Sequence, residues 1–260
     1  MNIRKIIVSL LLFAFILLPF SACVYAKTKK KKEVRNVEIQ TKDEMILTGT
    51  LTLPESATVN NKVPLVILLH SLGSNRLAYT TLAQNLKAQN IATLALDLRG
   101  HYQSTTKLSG KKSYWQNYSN KTFAKYPDDI AFVMDYIKDN YVAIDINRVG
   151  LLGADISANA AAITATQRKK QVKALALISP SLTFRGLAPG QSVLNYGTNP
   201  ICIIVSKKDT SHYRDAKVLA KYASGKVDFI EIPKGGTGDS LLKSNPEYNT
   251  FLTEWFKKNL

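Results

Sequence analysis

Four short apolar runs limit what this chain can fold into: residues 65–69, 91–96 (with Thr93 inside it), 149–152 and 174–178. A strand with one face in water alternates apolar and polar side chains. A run without alternation marks a strand covered on both faces, as in a parallel sheet between helical layers. Helical periodicity fills the intervals. Leu77, Leu82 and Leu86 share one face, and Ala-rich 158–165 forms another helix. A helix also begins near Pro127, where proline suits a first turn, with Ile130, Val133, Met134 and Ile137 turned inward. Strands at 201–205 and 227–232 alternate with helices at 213–222 and 248–256. Ahead of all these, Val37 and Ile39, then Met45, Leu47, Leu51 and Leu53, follow period two. They read as two antiparallel strands joined near Asp43 and ended by Pro54. The alternation predicts an α/β fold, a mostly parallel central sheet with helices on both faces.

The 260 residues suffice for one substantial domain, placed at 35–260. Arg4 and Lys5 form a basic head, 6–20 is nearly all apolar, and small residues follow, so 1–26 reads as an export leader. The apolar run is short for a membrane span. Two processing routes are open. Val24-Tyr25-Ala26 fits signal peptidase cleavage, whereas Phe20-Ser21-Ala22-Cys23 is similar to a bacterial lipobox, which would end the leader before Cys23. The expected location is outside the cytoplasm of a bacterial cell: secreted, periplasmic or anchored at the envelope. Five lysines between 27 and 32 make 27–34 a solvated basic linker.

The chain carries 35 Lys and Arg against 19 Asp and Glu, a net +16. Seven of the basic residues and Glu33 lie in leader and linker, which leaves +10 for the domain. That surplus suits an anionic envelope surface, and no nucleic-acid motif accompanies it. Cys202 is the domain's only thiol, so it has no internal disulfide. No Cys/His cluster has metal spacing, and Asp155 with Asp209 makes only two ligands, so no metal or cofactor is expected.

In a sheet of this kind ligands bind outside the carboxyl ends of the strands. Those ends carry His70-Ser71-Leu72-Gly73-Ser74, Asp97-Leu98-Arg99-Gly100-His101, Gly153-Ala154-Asp155-Ile156-Ser157, Lys207-Lys208-Asp209 and Lys234-Gly235-Gly236-Thr237-Gly238. Their order and contexts resemble the α/β-hydrolase family, most closely the dienelactone-hydrolase-like and acyl-peptidase-like serine esterases. The resemblance runs from about Val37 to the C-terminus. The turn at 97–101, the segment Ser179-Pro180-Ser181-Leu182-Thr183-Phe184-Arg185-Gly186 and the strand before Asp209 carry it most clearly.

The resemblance implies a hydrolase of carboxylic-ester type. Its nucleophile would stand on a Gly-x-Ser-x-Gly elbow, its oxyanion hole at Leu72 and Ile156, and its acid at Asp209. The elbow here reads Gly153-Ala154-Asp155-Ile156-Ser157, so Asp155 holds the nucleophile position. Thr237 holds the position of the catalytic His, and Ser71 replaces the usual Gly before Leu72. A Thr hydroxyl cannot shuttle a proton near neutral pH. The expected function is therefore an exported, catalytically degenerate relative of the serine esterases. Two alternatives stand beside it: an active hydrolase using Asp155 or another arrangement, and a basic envelope-binding protein.

Asp155 has two readings. Haloalkane dehalogenases and epoxide hydrolases, branches of the same family, use an Asp nucleophile that forms an alkyl ester, but they still need a His. The plainer expectation makes Asp155 the N-cap of the following helix, its carboxylate filled by backbone N–H groups. Of the three His residues, His70 and His101 are expected to support the oxyanion loop and the turn after Asp97. His212 is expected on the exposed surface, with entry into the site from the side as its alternative. Ser157 falls inside the first helical turn, which argues against a displaced nucleophile. The segment 99–126 should arch over the site. Its aromatic residues and lysines read either as a cover for a small-molecule, peptide or glycan pocket or as a cap packed by its own aromatics.

Overall fold

A computed structural model describes residues 34–260. The leader, the lipidation alternative at Cys23 and the lysine linker lie outside the described residues. Strands β1 (Val34–Gln40) and β2 (Met45–Thr52) form the expected antiparallel pair. Then come β3 (Val63–Leu69), α1 (Thr80–Ala88) and β4 (Ala92–Leu96). The 99–126 segment holds a two-residue strand, β5 (Thr106–Lys107), and a short helix, α2 (Asn120–Phe123). The alternation continues through α3 (Tyr126–Asn140), β6 (Ile144–Ala154), α4 (Ile156–Gln167) and β7 (Val172–Ile178). It ends with α5 (Gly190–Asn195), β8 (Ile201–Ser206), α6 (Thr210–Tyr222), β9 (Val227–Ile232), α7 (Ser240–Ser244) and α8 (Glu247–Asn259).

The strands form one sheet in the order β1-β2-β4-β3-β6-β7-β8-β9, with β5 beside β2. From β4 to β9 every pairing is parallel, and β2 joins β4 antiparallel. The alternating pleat, covered on both faces, explains why these runs lack apolar–polar alternation. Leu65, Ile67 and Leu69 of β3 pack with Ile130, Val133, Ala161 and Leu219 on one face. Val66 and Leu68 pack with Leu82, Leu86, Leu252 and Phe256 on the other. The chain leaves β3 toward β4 on one side, and β6 lies on its other side. The carboxyl ends of β3 and β6 therefore flank a switch in strand order, where such sheets open a crevice.

Buried Arg99 fixes the start of the 99–126 segment. It donates to Asp43 in the β1–β2 turn (2.6 and 2.9 Å) and to Asp129 on α3 (2.5 and 2.8 Å). The segment is packed by its own rings. Trp115 stacks on His101 with centroids 5.4 Å apart, and Phe123 meets Tyr118 and Tyr126 edge-on. Tyr102 and Tyr114 stay exposed. A cleft of about 480 Å³ opens beside Lys42, Asp43, Arg99, Lys125, Asp128 and Phe132, and no triad-position residue lines it.

Candidate active site

The turn from β6 into α4 holds Asp155 at φ 56° and ψ −120°. This left-handed conformation is one that non-glycine residues seldom adopt, and it lifts the side chain clear of both elements. The carboxylate makes no cap bond to its own helix. The N-cap reading is thereby corrected: at this dihedral pair the side chain points away from the first N–H groups of α4. Asp155 Oδ2 instead accepts the Leu72 N–H at 3.2 Å, so it occupies one of the two expected oxyanion donors. Ile156, the other expected position, is buried in the first turn of α4.

Three successive N–H groups of the loop after β3 are aimed by three different elements. Ser71 N–H donates to Asp239 Oδ2 at 2.9 Å, Leu72 N–H to Asp155, and Gly73 N–H to His101 Nε2 at 3.1 Å. Asp239 returns its own N–H to Ser71 Oγ at 2.9 Å, so the hydroxyl that replaces the usual Gly finds a use. Gly238 fits only as glycine here, because a Cβ would fall 2.1 Å from Ser71 Oγ.

The buried imidazoles support this loop as expected. Nε2 of His70 accepts the Leu98 N–H at 3.0 Å, and its Nδ1 lies 2.7 Å from the Ser71 carbonyl. His101 pairs Nδ1 with the Arg99 carbonyl at 3.1 Å. An Nε2 that accepts a backbone N–H leaves the ring proton on Nδ1. Burial lowers both pKa values, to about 3 for His70 and about 4 for His101, so both rings are neutral at physiological pH.

His212 is the residue that the sequence placed wrongly. Its side chain is only 19% exposed and lies between two carboxylates. Nδ1 is 2.9 Å from Asp209 Oδ1 and 2.8 Å from Oδ2, and Nε2 is 3.6 Å from Asp155 Oδ1. The correction has a local cause. Helix α6 starts at Thr210, three residues earlier than periodicity suggested, with Asp209 as its N-cap accepting the His212 N–H at 3.3 Å. One turn of helix then folds the ring back over the cap. The available signal was Asp-x-x-His across a helix start, a spacing that brings both side chains to one end of the helix.

Asp155 is the largest cause raising the His212 pKa, burial opposes it, and Asp209 adds to the rise, giving about 9. At 3.6 Å the Asp155 contact is an ion pair rather than a hydrogen bond, so its effect is electrostatic. Thr237 donates its hydroxyl to Asp209 Oδ2. Burial pushes the Asp209 carboxyl up, but Thr237 and His212 outweigh it and hold the pKa below the usual carboxylate range. Ser157 is buried, its Oγ bonded to the Leu69 carbonyl (2.8 Å) and to the N–H and carbonyl of Ala154 (2.8 and 2.9 Å). No geometry frees it to attack a substrate. Among the described residues no group of three or more His, Cys, Asp and Glu side chains could hold a metal ion.

A carboxylate on a strained elbow, a backbone donor beside it and an imidazole backed by a second carboxylate define the site of an α/β-hydrolase-fold protein. The chain matches the family model of serine aminopeptidase S33 over residues 60–243 and belongs to that hydrolase family. A search of curated proteins found no match. Solved structures share the fold. A dienelactone hydrolase of Anabaena variabilis is 18% identical with a TM-score of 0.66, over 87% of this chain and 97% of its own. Est1E of Butyrivibrio proteoclasticus, bound to ferulic acid, is 17% identical at 0.66, over 85% and 96%. An esterase of Pyrococcus furiosus is 19% identical at 0.64, over 87% and 91%.

Proposed function

We propose that this protein has left serine-dependent ester hydrolysis and acts as a carboxylate-nucleophile hydrolase. Asp155 forms a transient ester, and His212, held by Asp209, moves the protons. The observation that carries this reading is the His212 ring set between Asp155 and Asp209. Asp155 Oδ1 attacks a saturated carbon, the bond from that carbon to oxygen breaks, and the departing oxygen takes the Nε2 proton of His212. An imidazolium with a pKa of about 9 holds that proton at neutral pH. Epoxides are the substrate class this chemistry suits.

Ester formation removes the Asp155 charge, which is the largest cause of the raised His212 pKa. The now neutral ring becomes a base just when water must be activated. Water adds to the ester carbonyl carbon and passes a proton to His212. The developing oxyanion at Oδ2 rests on the Leu72 N–H. Collapse returns the Asp155 carboxylate and releases a diol. One turnover of styrene oxide in ¹⁸O-water should leave ¹⁸O in the Asp155 side chain and unlabelled oxygen in the diol. Label in the diol alone would contradict ester formation.

A second reading, a catalytically degenerate ligand-binding protein, is favoured by one feature. With no substrate present, Oδ2 already holds the Leu72 N–H and two carboxylates already balance His212. Neither diol nor adduct in the same experiment would select it. We also propose export, on the strength of the basic head and apolar run before residue 27, with the basic domain surface facing an anionic envelope. N-terminal sequencing from the native host should find the mature chain starting at Lys27 or Cys23; an intact Met1 terminus contradicts it.

A further inference from the structure

We propose that Arg185 is the recognition residue for a negatively charged substrate, gripping a carboxylate on the molecule whose electrophilic carbon meets Asp155. This rests on the carboxylate-nucleophile reading for the reaction and on separate geometry for the grip. After β7 the chain makes a two-residue turn. Phe184 N–H donates to the Leu187 carbonyl at 3.0 Å, and Leu187 N–H donates back to the Phe184 carbonyl at 2.9 Å. Both residues between them are left-handed, Arg185 at φ 50° and Gly186 at φ 86°. Such turns favour Asn, Asp or Gly at the first position, and an Arg there is strained. Strain kept where local preference opposes it points toward a role for the side chain.

The turn is held rigidly, and by the helices that carry the site. Buried Asn159 on α4 straps both its feet, accepting the Ser181 N–H at 3.1 Å and donating to the Leu187 carbonyl at 2.9 Å. Asp215 on α6, one turn past His212, accepts the Leu182 N–H at 3.1 Å. Ser179 Oγ accepts the Gly238 N–H at 3.0 Å, which ties the same segment to the Thr237 loop. Toward the cap, the Arg185 guanidinium lies 5.5 Å from the Phe123 ring centroid and 6.0 Å from that of Phe184. Arg185 thus stands where the cap meets the helices of Asp155 and His212.

Its partners set it apart. Arg76, Arg99, Arg148, Arg168 and Arg214 each pair with a carboxylate. Arg185 is exposed and lies against aromatic rings instead. A guanidinium engaged through its face keeps its in-plane N–H donors for a ligand, and that planar fork matches a carboxylate.

The full-length protein should form the Asp155 ester, followed by mass spectrometry, ~10-fold or more faster with 3-phenylglycidate than with styrene oxide. Arg185→Met should erase that advantage, so that within the variant the two epoxides form adduct at similar rates. Equal rates in the parent, or an advantage that survives Arg185→Met, overturn the proposal. If neither epoxide forms an adduct, the nucleophile reading fails and Arg185 is judged by equilibrium binding alone. Saturation-transfer NMR should then show 4-phenylbutanoate binding ~10-fold more tightly than 4-phenylbutanamide, with the preference lost in Arg185→Met. Acid and amide binding alike, or an acid preference indifferent to the substitution, count against it. Should Arg185→Met fail to fold, Arg185→Lys keeps the charge without the fork and should lose most of the preference; full retention overturns the proposal.

Discussion

Asp155 and His212 face each other at the carboxyl end of the sheet, with Asp155 Oδ1 3.6 Å from His212 Nε2. At the elbow, a Ser hydroxyl in place of the carboxylate would face the Nε2 side of an imidazole already backed by Asp209, with the Leu72 N–H vacated for an oxyanion. Asp155→Ser alone should therefore create a Ser–His–Asp array, without any change at Thr237. We expect that single variant to be labelled by a fluorophosphonate probe while the parent is not, and Asp155→Ser with His212→Ala to lose the label. Removing the base from such an array typically costs several orders of magnitude in rate, so the contrast should be plain. Labelling that appears only when Thr237→His is added would show that His212 does not serve the elbow. Thr237 itself donates to Asp209, which helps keep that carboxylate ionised against burial.

Elements were more legible in the sequence than the contacts between them. Strands β3, β4, β6, β7 and β8 announced themselves because the inner stretch of each is covered on both faces, so its residues do not alternate between apolar and polar. Asp155 and Asp209 were legible as residues just past strand ends, after β6 and after β8. The start of α6 was not. Its first turn, Thr210 to Tyr213, carries no apolar stripe, and the signal there was Asp209 acting as a cap. Missing that cap placed His212 on the surface, and the site then lacked an imidazole. The Asp155 cap expectation failed for the opposite reason. An Asp before a helix is ordinarily a cap, and only the backbone angles reveal that this one faces away. Ser71 stood out in the sequence, but its pairing did not, since its partner Asp239 lies 168 residues away.

Across the whole molecule, three histidines sample three environments that one fold creates. His70 and His101 are buried without a carboxylate at the ring and stay neutral, with pKa values of about 3 and about 4. His212 sits beyond the carboxyl ends of β6 and β8, where the chain brings two carboxylates to one ring, and its pKa rises to about 9. The separation follows from topology. Parallel strands deliver Asp155 and Asp209 to the same edge of the sheet, and both carboxylates pair with His212 there. Since the chain has only three His residues, proton NMR of the imidazole C–H signals resolves each against pH. The account predicts one ring titrating near pH 9, moving toward its ordinary value of about 6.5 in Asp155→Asn, while the other two stay neutral down to about pH 5. A His212 that titrates near pH 6.5 in the parent, and does not respond to Asp155→Asn, would contradict the Asp155–His212–Asp209 array.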